Sequence, residues 1–257
     1  MTGASAGIGR AFAELLAERG YDLVITARRR DRLDAVAEVL SSRGVSVLVE
    51  PADLADPAAP GRLADWVRDR GLHIDVLINN AGYGVPGSYV KSTWEVHADF
   101  LRVMVVAVSE LTHRLLPGMI ERRWGRILNV ASLAAFIPPS AGHTLYAASK
   151  AYLVRFSEAL ALEVGQHGVH VTAVCPGFTL SEFHDVTGTR GQVSQLPAYM
   201  WMDAASVARE GYDAVMAGSP VHVTGAVNRT LATLARVLPQ QLVRAIVRRN
   251  ASKFRKT

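Results

Sequence analysis

Thr2-Gly3-Ala4-Ser5-Ala6-Gly7-Ile8-Gly9-Arg10 follows Met1 directly and places a glycine-rich turn ahead of an apolar-periodic segment. Three glycines let a backbone turn sharply and approach a pyrophosphate closely, and the apolar-periodic segment Ala11 to Glu18 supplies a helix whose N-terminal amides attract the anion. Gly20 closes that helix. The spacing Gly3-x-x-x-Gly7-x-Gly9 differs from the commoner G-x-G-x-x-G, and a glycine-rich turn alone is weak evidence. A turn of this kind is delivered by a buried strand, yet only Met1 precedes it, so the first strand is expected to be truncated. A sheet lacking its central strand is the physically unfavourable alternative.

Downstream the chain alternates strand and helix without a linker or repeat. Tyr21 to Ala27 reads as a short β-branched strand ending in Arg28-Arg29-Arg30, followed by a helical stretch from Arg30 to Arg43. In dinucleotide folds an acid near this strand end binds ribose hydroxyls, whereas arginine accommodates a 2′-phosphate. No acid stands there, so the arginines favour NADP over NAD, against the plainer reading of a solvated helix start. Strand Val45 to Val49 leads to Asp53-Leu54, where the carboxylate can accept from an adenine amino group. Helix Gly61 to Arg70 and strand Ile74 to Ile78 run into Asn79-Asn80-Ala81-Gly82, whose small residues let a ring or ribose lie against the backbone and whose asparagine side chains can tie neighbouring strands together. A long apolar helix from Thr93 to Ile120, strand Arg126 to Ala131, a helix reaching about Gln166 and strand Val169 to Val174 follow, and Cys175-Pro176-Gly177 ends the last. Such an order predicts an α/β, Rossmann-like doubly wound parallel sheet with helices on both faces.

The chemistry concentrates in Leu145-Tyr146-Ala147-Ala148-Ser149-Lys150. Residues four apart share a helix face, so the Tyr146 phenol and the Lys150 ammonium converge. A free phenol has a pKa near ~10, and lowering it by about three units requires roughly 4 kcal/mol, part of which a neighbouring cation supplies. Ser132 follows a buried strand and so sits at the carboxyl edge where α/β sheets place ligands; its hydroxyl can hold a carbonyl. Taken alone, Tyr-x-x-x-Lys is a common coincidence on an amphipathic helix, and the surrounding motifs are what give it weight.

Composition agrees with one soluble domain spanning residues 1–257, since 49% of the residues are hydrophobic and 20% charged. The single cysteine, Cys175, excludes an internal disulfide and fits a reducing cytosol, and no metal site is expected from the histidines. There is no run of ~18 apolar residues and no signal-peptide layout, so a cytoplasmic protein is expected.

Thr2-Gly3…Gly7-Ile8-Gly9, Asn79-Asn80-Ala81-Gly82, Ser132, Tyr146…Lys150 and Pro176-Gly177 stand in the order and at the intervals of the short-chain dehydrogenase/reductase family, which the chain resembles over nearly its whole length. The resemblance implies hydride transfer between the nicotinamide of NAD(P) and a carbonyl or alcohol carbon. Tyr146 would be the general acid/base, Lys150 would bind the nicotinamide ribose and lower the tyrosine pKa, and Ser132 would polarise the carbonyl. The implied cofactor site comprises Gly3, Ser5, Gly7, Ile8, Gly9, Arg28, Arg29, Asp53, Leu54, Asn80, Ala81, Gly82, Tyr146, Lys150, Pro176 and Gly177. A homo-oligomer is also implied. Two departures stand out. The loop from Ser132 to Tyr146 is one residue longer than usual, with Pro138-Pro139-Ser140-Ala141-Gly142 absorbing the insertion. Met104 stands where the family usually has an asparagine that helps hold a proton-relaying water, and a thioether is too weak an acceptor to copy it.

A substrate lid is expected over residues 178–204, where Phe178, Leu180, Phe183, Leu196, Tyr199, Met200, Trp201 and Met202 suit an apolar substrate or pack the lid on the core. The C-terminus is different in character. From Ala214 onward there is no acid and there are eight bases, so residues 1–213 carry a formal −3 against +5 for the whole chain. Apolar residues recur at helical spacing on either side of Pro239, so residues 229–257 read as a basic amphipathic tail for anionic lipid, an acidic partner or the substrate mouth, or as plain packing. Nucleic acid is not an expected partner, Phe254 being the only aromatic in the tail. The reading is an NADP-dependent oxidoreductase for an apolar ketoacyl, ketosteroid or aliphatic ketone substrate. Its rival is a non-catalytic NADP-binding protein; a methyltransferase would explain the glycines but not Ser132, Tyr146 and Lys150.

Overall fold

The computed structural model describes residues 1–139, 142, 144–180, 197–239 and 241–245. The strands are β1 Leu23–Ile25, β2 Val47–Val49, β3 Val76–Asn79, β4 Gly125–Val130, β5 Val169–Cys175, β6 Phe178–Leu180, β7 Trp201–Asp203 and β8 Val221–Val223. The helices are α1 Gly7–Glu18, α2 Arg30–Ser41, α3 Ala59–Asp69, α4 Trp94–Leu101, α5 Ala107–Glu121, α6 Thr144–Val164, α7 Ala204–Met216 and α8 Ala226–Val237.

Every ladder is parallel, β1 with β2 and β3-β4-β5-β8 in that order. The two groups are joined by the first two residues. The Met1 amine donates to Val24 O at 2.6 Å, Thr26 N donates to Met1 O at 3.0 Å, and Thr2 N donates to Ile78 O at 2.9 Å. Met1 and Thr2 therefore hold the central position between β1 and β3, a two-residue stub where a first strand was expected. Beneath it lies an open cavity walled by Val24, Ile74, Leu77, Leu111 and Leu115.

Helices cover both faces. Phe12, Leu16, Leu33, Leu40, Val207 and Val215 from α1, α2 and α7 pack on Ile25, Ile78, Leu128 and Val174. On the other side Leu63, Leu111, Met119, Leu153 and Val154 from α3, α5 and α6 meet Leu77, Ile127, Val171 and Ala173. All of β4 is buried, Arg126 and Asn129 included, as befits a strand covered on both faces.

The elements differ from their expected bounds by a residue or two at most ends; α1 starts four residues early, at Gly7, and β1 is shorter by two at each end. Asp22 leaves the ladder because its Oδ1 accepts from Ser46 N at 2.7 Å, and Thr26 leaves it to bridge Thr2. The expected long helix is one continuous element, Trp94–Glu121, interrupted by a π-helical turn over Arg102–Val106 that centres on Met104. By length and mean hydropathy it would cross a membrane, yet Val103, Met104, Ala107, Val108, Leu111 and Met119 are buried in the α/β core. It is a core helix.

Candidate active site

Because the sheet is parallel, its strand ends share one edge, and the motifs collect there. β1 runs toward Arg28, β3 into Asn80-Ala81-Gly82, β4 into Ala131-Ser132 and β5 into Pro176-Gly177. Thr2 and Asn80 brace the glycine turn. Thr2 Oγ1 accepts from Asn80 N and Ala81 N, each at 3.0 Å, while Asn80 Nδ2 donates to Thr2 O and Gly3 O, each at 3.1 Å. Gly3 has φ +67°, and a Cβ there would stand 2.7 Å from Asn80 Nδ2; one at Gly9 would collide with Gly3 O. Only glycine allows this turn to lie so close to the end of β3. It delivers the chain to α1, whose N-cap is Ala6 and whose first turn holds no acid, so nothing from the side chains there competes with an anion for the free amides.

Arg28 and Arg29 are exposed just past the end of β1, which Ala4 N ties to the glycine turn by a 3.3 Å bond to Thr26 O. Burial raises the Tyr83 phenol pKa, and the Arg28 charge opposes the rise. Asp53 Oδ1 accepts from Ala55 N at 3.0 Å, and Leu54 is buried in the core. The sequence-predicted residues at Gly3, Ser5, Gly7, Ile8, Gly9, Arg28, Arg29, Asp53, Leu54, Asn80, Ala81, Gly82, Pro176 and Gly177 thus follow one continuous edge. A close-approach turn, bare helix amides and exposed cations fit a phosphorylated dinucleotide.

α6 carries the reactive pair. Lys150 is 5% exposed, and its Nζ donates to Val130 O at 2.6 Å, which ties the helix to the end of β4. The ammonium stands 5.7 Å from the centre of the Tyr146 ring. Ser132 hydrogen-bonds the Tyr146 side chain, and its Oγ also accepts from Ala134 N at 3.1 Å. Desolvation lowers the Lys150 pKa to about 8. The sequence led us to expect a depressed Tyr146 pKa, and the structure corrects this. Burial pushes the phenol up, the Ser132 hydrogen bond is what opposes it, and the Lys150 charge is directed at Val130 O. A phenol so held is a competent acid at neutral pH.

An open cleft of about 300 Å³ adjoins Tyr146, walled by Val85, Tyr89, His97, Phe100 and Leu145 among others. None of these except Leu145 stood out in the sequence. Of the expected lid, Phe178 and Trp201 pack with ring centres 5.6 Å apart, while Leu180 and Tyr199 are exposed. Phe183 and Leu196 lie outside the described residues, as do Ser140 and Ala141 of the lengthened loop. Met104 is buried against Gly82, its sulfur 2.8 Å from where a Cβ on that glycine would be. Asn228 of α8, also missed, is buried with its amide against Gly177 and donates to Thr224 O at 2.9 Å. Its only signal would have been a polar residue on the inner face of an amphipathic helix.

Fold and site together define a dinucleotide-binding α/β oxidoreductase. The family model for short chain dehydrogenase matches residues 1–190. The chain is 30% identical over 234 residues to the 3-oxoacyl-acyl-carrier-protein reductase FabG of Escherichia coli, covering 88% of this chain and 94% of that one. It is 36% identical over 180 residues to a very-long-chain 3-oxoacyl-CoA reductase of Phaeosphaeria nodorum, covering 68% of this chain but only 52% of the fungal protein. Among solved structures, a short-chain dehydrogenase from Sphingobium yanoikuyae in complex with NADPH superposes with a TM-score of 0.81 at 31% identity, covering 95% of this chain and 94% of that one. The chain belongs to the short-chain dehydrogenase/reductase family, and it is an enzyme acting between CH–OH and C=O groups.

Proposed function

We propose that the protein is an NADP-dependent reductase of an apolar ketone or ketoacyl compound, working in the cytoplasm as a homo-oligomer. The observation that carries this reading is the meeting of Ser132, Tyr146 and Lys150 at the strand edge that also bears the glycine turn and the exposed arginines. NADPH supplies the hydride. Gly3, Ser5, Gly7, Ile8 and Gly9 with the α1 amides hold its pyrophosphate, and Arg28 and Arg29 take the 2′-phosphate. Asp53 and Leu54 border the adenine. Asn80, Ala81, Gly82, Pro176 and Gly177 frame the ribose and nicotinamide. Ser132 donates a hydrogen bond to the substrate carbonyl, and Tyr146 delivers its phenolic proton to that oxygen. Lys150 binds the nicotinamide ribose and keeps positive charge near the phenol as it loses the proton. The relatives named for ketoacyl reduction and the NADPH complex support this assignment.

Purified protein with NADPH and a panel of ketones, ketoacyl thioesters and quinones tests it by loss of nicotinamide absorbance. Turnover lost in Tyr146→Phe with NADPH affinity retained is the expected result. Replacing Arg28 and Arg29 by alanine should weaken NADPH by tenfold or more while sparing NADH, since charge-assisted bonds are each worth ~1.5–3 kcal/mol. Tight NADPH binding without turnover on the whole panel would move the assignment to a non-catalytic NADP-binding protein.

A further inference from the structure

Beside Tyr146, the cleft contains a polar group the hydride chemistry does not use. His97 of α4 is 5% exposed, and its ring lies stacked on Tyr89 with centroids 4.3 Å apart and planes 12° from parallel. Its Nε2 is 2.9 Å from Tyr89 O. A carbonyl oxygen can only accept, so Nε2 carries the hydrogen, and Nδ1 of the neutral ring is left as a bare lone pair. Nδ1 is buried and has no hydrogen-bond partner among the described residues. A buried acceptor without a partner is uncommon and calls for an explanation. Stack and bond together fix the ring, so the lone pair is held in one orientation before any ligand arrives. His97 and Tyr146 line the same cleft, along with the apolar Val85, Phe100 and Leu145.

From this geometry, and resting on the carbonyl-reduction reading above, we infer that His97 is a specificity residue that accepts a hydrogen bond from a hydroxyl or amide N–H on the substrate. The substrates of this enzyme are then apolar carbonyl compounds that carry such a donor within reach of the reacting carbon. Apolar contact alone discriminates weakly between compounds of similar shape. A site built to hydrogen-bond a substrate group rejects the analogue lacking it far more strongly, because the site's own polar atom is left unpaired.

Matched pairs of substrates, assayed on the full chain with NADPH, provide the test. One arm compares hydroxyalkyl ketones, the hydroxyl placed at successive carbons, with alkyl ketones of equal length. The other compares a 3-oxoacyl thioester of N-acetylcysteamine, which carries an amide N–H, with the S-alkyl thioester of the same acyl group. In at least one pair the donor-bearing compound should be favoured about tenfold or more in kcat/KM. His97→Phe should bring that ratio close to one, and His97→Asn, whose amide oxygen stands near the place of Nδ1, should keep part of it. His97→Leu serves if the phenylalanine variant does not fold by circular dichroism. A wild type that reduces both members of every pair equally, or a ratio that survives removal of the imidazole, overturns the inference and leaves carbonyl reduction standing. A wild type that binds NADPH but reduces no carbonyl refutes the proposed function, and this inference with it.

Discussion

Tyr146 and Lys150 place opposite demands on pH. Burial holds the phenol protonated well past neutrality, whereas the Lys150 ammonium, with its pKa down at about 8, loses its charge first. Carbonyl reduction needs the protonated phenol and the charged lysine, so its kcat/KM should be level from about pH 6 to about pH 7.5 and fall above about pH 8. Alcohol oxidation needs the phenolate and should rise with pH. Lys150→Gln should lower activity and remove the falling limb from what remains. If the limb persists in that variant, another group is responsible for it. Met104 sets the second residue-scale expectation, because it is buried in a π-helical turn against Gly82 where the family usually carries a water-holding asparagine. Met104→Asn should raise turnover and reduce the solvent isotope effect if a relay water orders there, while burying an amide without partners costs ~1–3 kcal/mol. Thermal unfolding measured beside kcat separates the two effects. Turnover that falls in step with stability would show that proton resupply takes another route.

At the scale of elements, α6 is positioned by a buried polar chain as much as by apolar packing. Asn79 Nδ2 on β3 donates to Asn129 Oδ1 on β4 at 2.9 Å, and Asn129 Nδ2 donates to Ser157 Oγ on α6 at 2.9 Å. Ser157 lies two turns beyond Lys150 on the same helix face. The link from strand to strand was legible in the Asn79-Asn80 pair, but its continuation to Ser157 was not, because nothing in the spacing of Asn129 and Ser157 announces that they meet. Asn79 keeps Thr112 Oγ1 as a partner at 3.2 Å and Ser157 keeps Leu153 O at 2.7 Å, so losing Asn129 strips each of one bond and not of all. Asn129→Leu should therefore cost roughly 1–3 kcal/mol in urea unfolding. It should also lower kcat several-fold through misplacement of Tyr146 and Lys150. A destabilised variant with kcat intact would mean that Leu153 and Val154 alone set the helix.

Across the whole molecule, what could be read in advance was what repeats or obeys local rules. The β-α alternation, the glycine turn and the Tyr146-Lys150 spacing all belong to this group. The His97 cleft and the Asn228 contact to Gly177 could not be read, since both arise from residues distant in sequence that only the packed fold brings together. The basic tail shows the limit of pattern. Residues 229–257 look like one amphipathic unit, yet α8 begins at Ala226 and its first base is already engaged in the fold. Arg229 donates to Glu210 at 3.2 Å, and Arg236 lies over the Phe136 ring at 4.4 Å. Ala232, Ala235 and Val243 are buried. Arg248, Arg249, Lys253, Arg255 and Lys256 lie in 246–257, outside the described residues. Truncation after Thr230 would thus strip buried side chains and should destabilise the protein, so it cannot report on the tail's surface role. Truncation after Ala245 keeps every buried residue named above and removes five bases and no acid, taking the formal charge from +5 to 0. That variant should match the full chain in unfolding temperature and NADPH affinity. Each base near an anionic bilayer is worth about 1 kcal/mol, so the full chain should sediment with anionic vesicles at low salt and the 1–245 chain should not. Full-length protein that stays in the supernatant would leave the tail without a membrane role.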